Sequence, residues 1–360
     1  MESLKQRIIF FTKYTSKGPS SRYRTYQYLD YFKDEYSCHL FPFFDDDYIE
    51  RLYIGRIIPF YKVLFYYLRR IWHLMTKPKK KDIIFIEYEL MPYFFAWVEL
   101  FLKLRGIKYL VDYDDAIFHN YDTSYNVFIR IFLKNKIPKV IKHANYVITG
   151  SPYLTAFAFQ YNRNVTEIPT SILFKKYENI DNSNLDDFFV IGWIGSKSTS
   201  HNLLIIKDAL EKFKQCHSDV VIRLVGVDII TAKALNITPV LWTEQDELQL
   251  LNSFHIGIMP LIDNNFNKGK CGFKLIQYMA CGKPTISTPL DANVKINRNK
   301  KNLHAITNEE WFQSFEEMYT HRAYYEEVGK ENRKLIADYY SVEANASAYN
   351  LVFKSLCTNQ

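Results

Sequence analysis

Short apolar runs alternate along this chain with longer segments patterned at helical spacing. In the first half, Arg7–Thr12, Asp82–Glu87, Ile107–Val111, Tyr146–Thr149 and Val165–Pro169 read as strands. In the second half, Phe188–Ile194, Val220–Gly226, Val240–Trp242, His255–Pro260 and Thr285–Ser287 read the same way. The intervening pattern predicts helices over Ser20–Phe32, Phe94–Arg105, Asn126–Lys142, Asn202–Gln215, Glu244–Asn252 and Gly272–Cys281, with Glu310–Phe353 helical throughout. Strand–helix alternation predicts mostly parallel sheets with right-handed crossovers, an α/β chain. The polar, unpatterned stretch Asn179–Asp187 reads as a linker, so the 360 residues divide into two domains, each large enough for its own core.

One helix departs from the buried pattern. Across residues 56–81, Tyr61, Leu64, Phe65, Leu68, Ile71, Trp72 and Met75 recur at helical spacing. Lys62, Arg69, Arg70, Lys77, Lys79, Lys80 and Lys81 are basic, and the stretch holds no acid. Two readings stand: a helix lying in an anionic bilayer surface, or an amphipathic helix packed on a sheet with solvated lysines at its end. A net charge of +7 means little unless clustered. No stacking-sheet or helix-turn-helix pattern accompanies the basic residues, which argues against nucleic acid. The 17% aromatic content suits sugar stacking or a membrane interface, although AT-biased codon usage also produces it. The five cysteines are scattered, with no CxxC pair or metal-ligand spacing, which fits a reducing, cytoplasmic setting. No signal-peptide pattern opens the chain, and no stretch is apolar enough to span a bilayer.

Candidate chemistry gathers in the loops that follow strands. Gly269 and Gly272 flank Lys270 and Cys271, and a helix begins at Gly272 and stops at Gly282. Phe273 opens its apolar surface, while Lys274, Gln277 and Cys281 form its one polar stripe. A glycine-fed helix N-terminus with Lys and Gln on one stripe suits an anion flanked by hydroxyl groups. A core helix whose lysine snorkels to water would read alike. Gly195, Ser196 and Lys197 follow a strand and precede a helix, offering backbone N–H groups, hydroxyls and an ammonium to a diphosphate. Gly18 and Arg24 lie in the corresponding loop after the first strand. Asp112, Asp114 and Asp115 fall just past a strand's C-terminal end, where open α/β sheets place ligands. His119 reads as a loop histidine.

The run Lys268–Pro289, with Gly272, Ala280, Gly282 and Pro284, resembles the nucleotide-sugar motif of glycosyltransferase family 4, the glycosyl transferases group 1. Pro260, Leu261 and Asp263 match the approach to that motif, and Asn293 follows it. The family's paired glutamates fall on Gly269 and Gln277, so the similarity is to a subgroup with a GKCGFKLIQYMACGKP-type motif. The resemblance implies a GT-B fold: two Rossmann-like parallel-sheet domains facing a cleft, with the last helix crossing back to the N-terminal domain. It implies an acceptor-binding domain over 1–170 plus 341–360, a linker over 171–187 and a nucleotide-sugar domain over 188–340. It further implies a metal-independent, retaining hexosyltransferase with a nucleoside-diphosphate sugar as donor and no other cofactor. Gly18, Arg24, Gly195, Ser196, Lys197, Lys270, Gly272, Phe273 and Gln277 would bind the donor, and Lys274 would offset leaving-group charge. Asp112, Asp114 and Asp115 would orient or deprotonate the acceptor, a glycan or lipid-linked hydroxyl of bacterial surface polysaccharide synthesis. Asp-x-Asp at 112–114 also resembles the metal motif of the other glycosyltransferase fold, GT-A. A nucleotide-sugar epimerase and a non-catalytic membrane-bound partner of another transferase are the alternatives. The implied location is the cytoplasm, peripheral on the inner face of the plasma membrane.

Overall fold

The computed structural model describes residues 5–178 and 188–358, and the expected linker Asn179–Asp187 lies outside the described residues. The chain forms two compact units. The first comprises Met1–Thr170, Gly269–Cys271 and Asn345–Gln360, and the second Ser171–Lys268 and Gly272–Ala344.

The first unit is built from β1 (Gln6–Phe11), α1 (Pro19–Arg24), α2 (Leu29–Phe32), β2 (Tyr36–Leu40), α3 (Asp46–Ile54), α4 (Phe60–Thr76), β3 (Ile83–Glu87), α5 (Trp97–Leu104), β4 (Lys108–Tyr113), α6 (His119–Asp122), α7 (Val127–Leu133), α8 (Lys136–His143), β5 (Tyr146–Thr149), α9 (Pro152–Phe159) and β6 (Val165–Glu167). Its six-stranded sheet runs β2-β1-β3-β4-β5-β6 with every pair parallel. The crossovers carrying α4, α5 and α8 all step the same way along that order, so right-handedness puts the three helices on one face. Ile9, Phe11, Ile84, Ile86, Tyr109 and Val111 meet them there, with Leu74, Leu102 and Ile137 among the helical residues buried in the same cluster. On the opposite face, Phe10 and Phe85 pack against Phe32 of α2 and against Tyr349 and Phe353 of the C-terminal helix Val342–Thr358.

The second unit contains β7 (Phe189–Ile194), a 3-10 helix (Lys197–Ile206), α10 (Lys207–Cys216), β8 (Val220–Val225), α11 (Ile229–Ala234), α12 (Glu247–Asn252), β9 (Ile256–Met259), α13 (Asn265–Lys268), α14 (Phe273–Ala280), β10 (Thr285–Ser287), α15 (Asp291–Ile296), β11 (Leu303–His304), α16 (Asn308–Thr320) and α17 (Arg322–Tyr339). Its parallel sheet runs β11-β10-β9-β7-β8. Helix α14 ends as its glycine predicts: Gly282 sits at φ +70°, and the Gly282 and Lys283 N–H groups donate back to Met279 and Tyr278 carbonyls.

Several elements differ from the sequence pattern. The helix expected over Ser20–Phe32 breaks at Thr25, where φ is −126°, and resumes through a 3-10 turn. The helix expected over Asn126–Lys142 divides at Lys134 and Asn135. The helix expected from Asn202 is 3-10 as far as Ile206. Val240 makes only an isolated bridge to Val225 instead of opening a strand. Asp112 lies inside β4 rather than beyond it. The helical region expected over Glu310–Phe353 forms three helices, broken at His321 and after Tyr339, the last of them Val342–Thr358 against an expected last helix over Ser341–Leu356.

Candidate functional site

In the first unit, the acidic run at the end of β4 divides into three environments. The Arg24 guanidinium donates Nε to Asp112 Oδ2 at 2.8 Å and Nη2 to Oδ1 at 2.5 Å, and Nη1 donates to the Ile168 carbonyl at 2.7 Å. Both side chains are about 1% exposed or less. Burial opposes the arginine's charge, but Asp112 more than offsets it, so the guanidinium pKa is raised. The fork geometry that matches Arg to carboxylate makes this pair an internal tie among α1, β4 and the chain after β6. Arg24 is therefore bonded inward rather than lying in a loop open to a phosphate, and Asp112 has both oxygens engaged, which argues against the metal reading of Asp112 and Asp114.

Asp115 receives the Lys270 ammonium at 2.8 Å. Asp114 is half-buried and accepts the Tyr88 hydroxyl, which also reaches Ser20 Oγ at 3.1 Å. Burial first, then the Asp115 charge, push the Asp114 carboxyl up to about 6, against the pull of Arg24 and the Tyr88 hydroxyl. Tyr88 occupies the left-handed region at φ +63°, a strained conformation for a bulky residue. It follows Glu87, the last residue of β3, which is 1% exposed. Glu87 Oε2 accepts Ser21 Oγ at 2.6 Å and the Lys13 N–H at 3.2 Å, while Oε1 has no hydrogen-bond partner among the described residues. Burial and the Asp114 charge raise its pKa to about 8, although Ser21 and Lys13 pull it down. Glu87 and Tyr88 were not singled out from sequence; the one visible signal was an acid closing the apolar run Asp82–Glu87.

The Gly18 backbone precedes α1 and leaves no room for a side chain, since a Cβ there would lie 2.4 Å from that of Tyr14. His119 is a structural loop residue, with Nδ1 on Asp122 and Nε2 on the Tyr153 hydroxyl.

In the second unit, Gly195 follows β7 and lies against Lys274: a Cβ at 195 would meet Lys274 Cε at 2.8 Å and the Trp193 ring at 2.5 Å. The Lys274 ammonium stands 5.4 Å from the Trp193 ring centroid, a cation–π contact that holds it beside the Gly195 backbone. Gly226, at φ +77°, brings its Cα against the Gly195 carbonyl, where a Cβ would come within 2.2 Å. Ser196 and Lys197 are exposed at the start of the 3-10 helix, with Ser196 Oγ hydrogen-bonded to Ser198 at 2.9 Å. Gly272 caps α14 at φ +66°, no side chain caps the helix, and Phe273 begins it. The positive end of α14 thus opens one residue before Lys274. Gln277 is buried and donates to Glu247 Oε1 at 3.0 Å, while Glu247 Oε2 accepts the Trp242 indole N–H at 2.9 Å. Sequence gave no sign of Glu247.

Gly195, Lys274 and the start of α14 therefore come together within the second unit. Lys270 belongs to the first unit with Asp115. Among the described residues, no group of three or more His, Cys, Asp or Glu side chains is placed to hold a metal ion.

Residues 188–321 match the family model described as glycosyl transferases group 1. Among solved structures, sucrose-phosphate synthase from Thermosynechococcus elongatus superposes with a TM-score of 0.70 at 14% identity, covering 99% of this chain and 100% of that one. HepE of Anabaena, in complex with UDP and glucose, gives 0.71 at 13% identity, over 98% and 100% of the two chains. A glycosyltransferase from Rickettsia africae gives 0.69 at 15% identity, over 99% and 100%. No curated protein matches by sequence. The second unit therefore carries a glycosyl transferases group 1 domain, and the chain is a glycosyltransferase of GT-B fold.

Proposed function

We propose that this glycosyltransferase is retaining and moves a sugar from a nucleoside-diphosphate sugar to a hydroxyl of a glycan or lipid-linked acceptor, in bacterial surface polysaccharide synthesis. The observation that carries the donor assignment is Lys274 held beside the Gly195 backbone in the first turn of α14, whose N-terminus no side chain caps. Together with Ser196, Lys197, Gly272 and Phe273, this supplies an ammonium, backbone N–H groups and hydroxyls to two phosphates. HepE, crystallised with UDP-glucose, supports a nucleotide-sugar donor. Gln277 and Glu247 offer oxygens to the ribose hydroxyls.

The first unit takes the acceptor. Asp114, ionised above pH of about 6, accepts the acceptor hydroxyl, while Arg24 with Asp112, and Lys270 with Asp115, fix the loop around it. Retention follows from the resemblance: the acceptor oxygen attacks the anomeric carbon on the leaving-group face. The carbon–oxygen bond to the β-phosphate breaks, and the acceptor proton passes to the departing diphosphate. No protein nucleophile is required. Residues 56–81 bring the enzyme to an anionic membrane where a lipid-linked acceptor resides; no helix among the described residues is long and apolar enough to cross it.

A donor screen should show nucleoside diphosphate released from a UDP- or GDP-sugar in the presence of acceptor. Lys274→Ala should lower kcat by about 100-fold, the usual effect of deleting one such stabiliser. An unchanged rate would remove Lys274 from the chemistry, and acceptor-independent interconversion of the donor would identify an epimerase.

A further inference from the structure

Helix α4 turns toward the sheet the side that sequence would not have chosen. Tyr66, Arg70 and Leu74 are its buried residues. The apolar stripe is exposed instead, with Phe65 at 54%, Trp72 at 55% and Met75 at 69%. That excludes the sheet-packed reading of this stripe and leaves it exposed. The same holds on two further helices. On α5, Trp97, Phe101 and Leu104 are exposed at spacings of four and three, one helical face. On α7, Phe128, Ile131 and Phe132 are exposed on another.

These faces adjoin. The Tyr67 hydroxyl of α4 donates to the Pro92 carbonyl in the loop that leads into α5. In that loop Tyr93 packs on Tyr121 of α6 at 5.4 Å, and α6 packs on α7. At the other end of α4, Lys80 lies against Gly106, just past α5.

Cations line the same area. Arg69 sits over Phe65, Lys77 over Trp72 and Arg105 over Phe101, at 5.5, 4.7 and 5.4 Å from the ring centroids. Lys103, Lys139 and Lys142 of α5 and α8 all act on His143 and, after burial, lower its pKa. The acids on α5 and at the end of α4 are turned inward: Glu99 accepts the Leu90 N–H, and Asp82 pairs with Arg7. Aromatic rings at the level of cationic side chains, with Glu99 and Asp82 buried, complement a surface that is apolar beneath and anionic above.

We propose that α5 and α7 extend the α4 face into one composite surface that lies in an anionic phospholipid leaflet, with Trp97, Phe101 and Leu104 as its second anchor. This rests on the membrane reading of residues 56–81 and adds two helices to it. Three separate footholds fix the orientation of the first unit on the membrane, where one helix would leave it free to roll.

The test is vesicle flotation of the full chain, on phosphatidylcholine alone and on phosphatidylcholine with about one-third phosphatidylglycerol. Two triple variants are compared, Trp97→Ser/Phe101→Ser/Leu104→Ser and Phe65→Ser/Leu68→Ser/Trp72→Ser. All six residues are exposed, so both variants should melt as the parent does. The expected result is binding that requires the anionic lipid, falls with salt, and drops at least about tenfold in each variant. If the α5 variant binds like the parent while the α4 variant does not, the composite surface is wrong and the α4 reading survives. If the parent binds no vesicles, both readings fall. Self-association of the parent without vesicle binding, lost in both variants, would assign the face to a second copy of the chain.

Discussion

Glu87→Gln isolates the cost of a buried carboxyl group. Glu87 is enclosed at the end of β3 and faces Lys13, Ser21 and Asp114, with Arg70 and Tyr26 in its field. Its pKa moves from an ordinary 4.5 to about 8, with burial the main cause. Below pH 4.5 both folded and unfolded chains hold the proton. Between 4.5 and about 8 the unfolded chain has released it and the folded chain has not, so stability falls as pH rises. Above about 8 the loss is constant. At about 1.36 kcal/mol per pH step, the interval from pH 5 to pH 9 removes about 4 kcal/mol through this one group. In Glu87→Gln the amide oxygen still accepts from Ser21 and the Lys13 N–H, and nothing titrates at that site. The variant can be more or less stable than the parent at pH 5, depending on how its NH2 group is accommodated. Its advantage over the parent should grow by about 4 kcal/mol on going to pH 9. For a unit of this size that is a widening of about 8–16 °C in Tm, well within reach of scanning calorimetry. Parent and variant curves that stay parallel within about 1 kcal/mol from pH 5 to pH 9 would show that Glu87 is already ionised when folded, and the reasoning would fail.

Arg24→Met leaves Asp112 buried without its cation and should cost about 3–5 kcal/mol in urea unfolding, whereas Arg24→Met with Asp112→Leu should recover most of it; a loss under about 1 kcal/mol in the single variant would contradict the tie. Gln277→Glu sets a carboxylate where an amide now donates to Glu247 at 3.0 Å. It should destabilise the protein by about 1–3 kcal/mol at pH 8, less at pH 5, with Glu247→Gln restoring the loss; equal stability at both pH values would refute the pairing.

The strands were legible because a strand buried on both faces is a continuous apolar run, and Phe189–Ile194 or Ile83–Glu87 admits no other reading. The breaks in the helices were not. Thr25 and the Lys134–Asn135 step interrupt patterns whose periodicity continues across them, and only tertiary packing decides that. The side of α4 that faces inward was also invisible. Periodicity locates an apolar stripe but does not say that the sheet would take Tyr66, Arg70 and Leu74 instead, with Arg70 donating to the Thr12 carbonyl between the Phe11 and Phe43 rings. For the candidate site, glycines marked closely approached backbone at Gly195 and Gly272, since close approach is what glycine encodes. The internal engagement of Arg24 and Asp112 had no sequence signature, because a charge open to ligand and a charge paired in the core are the same letter.

The two positions where the glutamates of the resembling family do not appear have local physical reasons. At 269, a Cβ would lie 2.4 Å from that of Ala116 and 2.9 Å from its backbone nitrogen, so no side chain of any kind fits without moving that loop. At 277, the side chain is buried against Glu247, and an amide can donate to that carboxylate where a second carboxylate would repel it. A carboxylate is thus still present beside residue 277, borne by α12 instead of α14. It is half-buried, and Gln277 and the Trp242 indole donate to its two oxygens. Under the donor reading, Glu247 stands beside Gln277 as a second oxygen-bearing side chain for the ribose, so the change at 277 keeps a carboxylate next to that position.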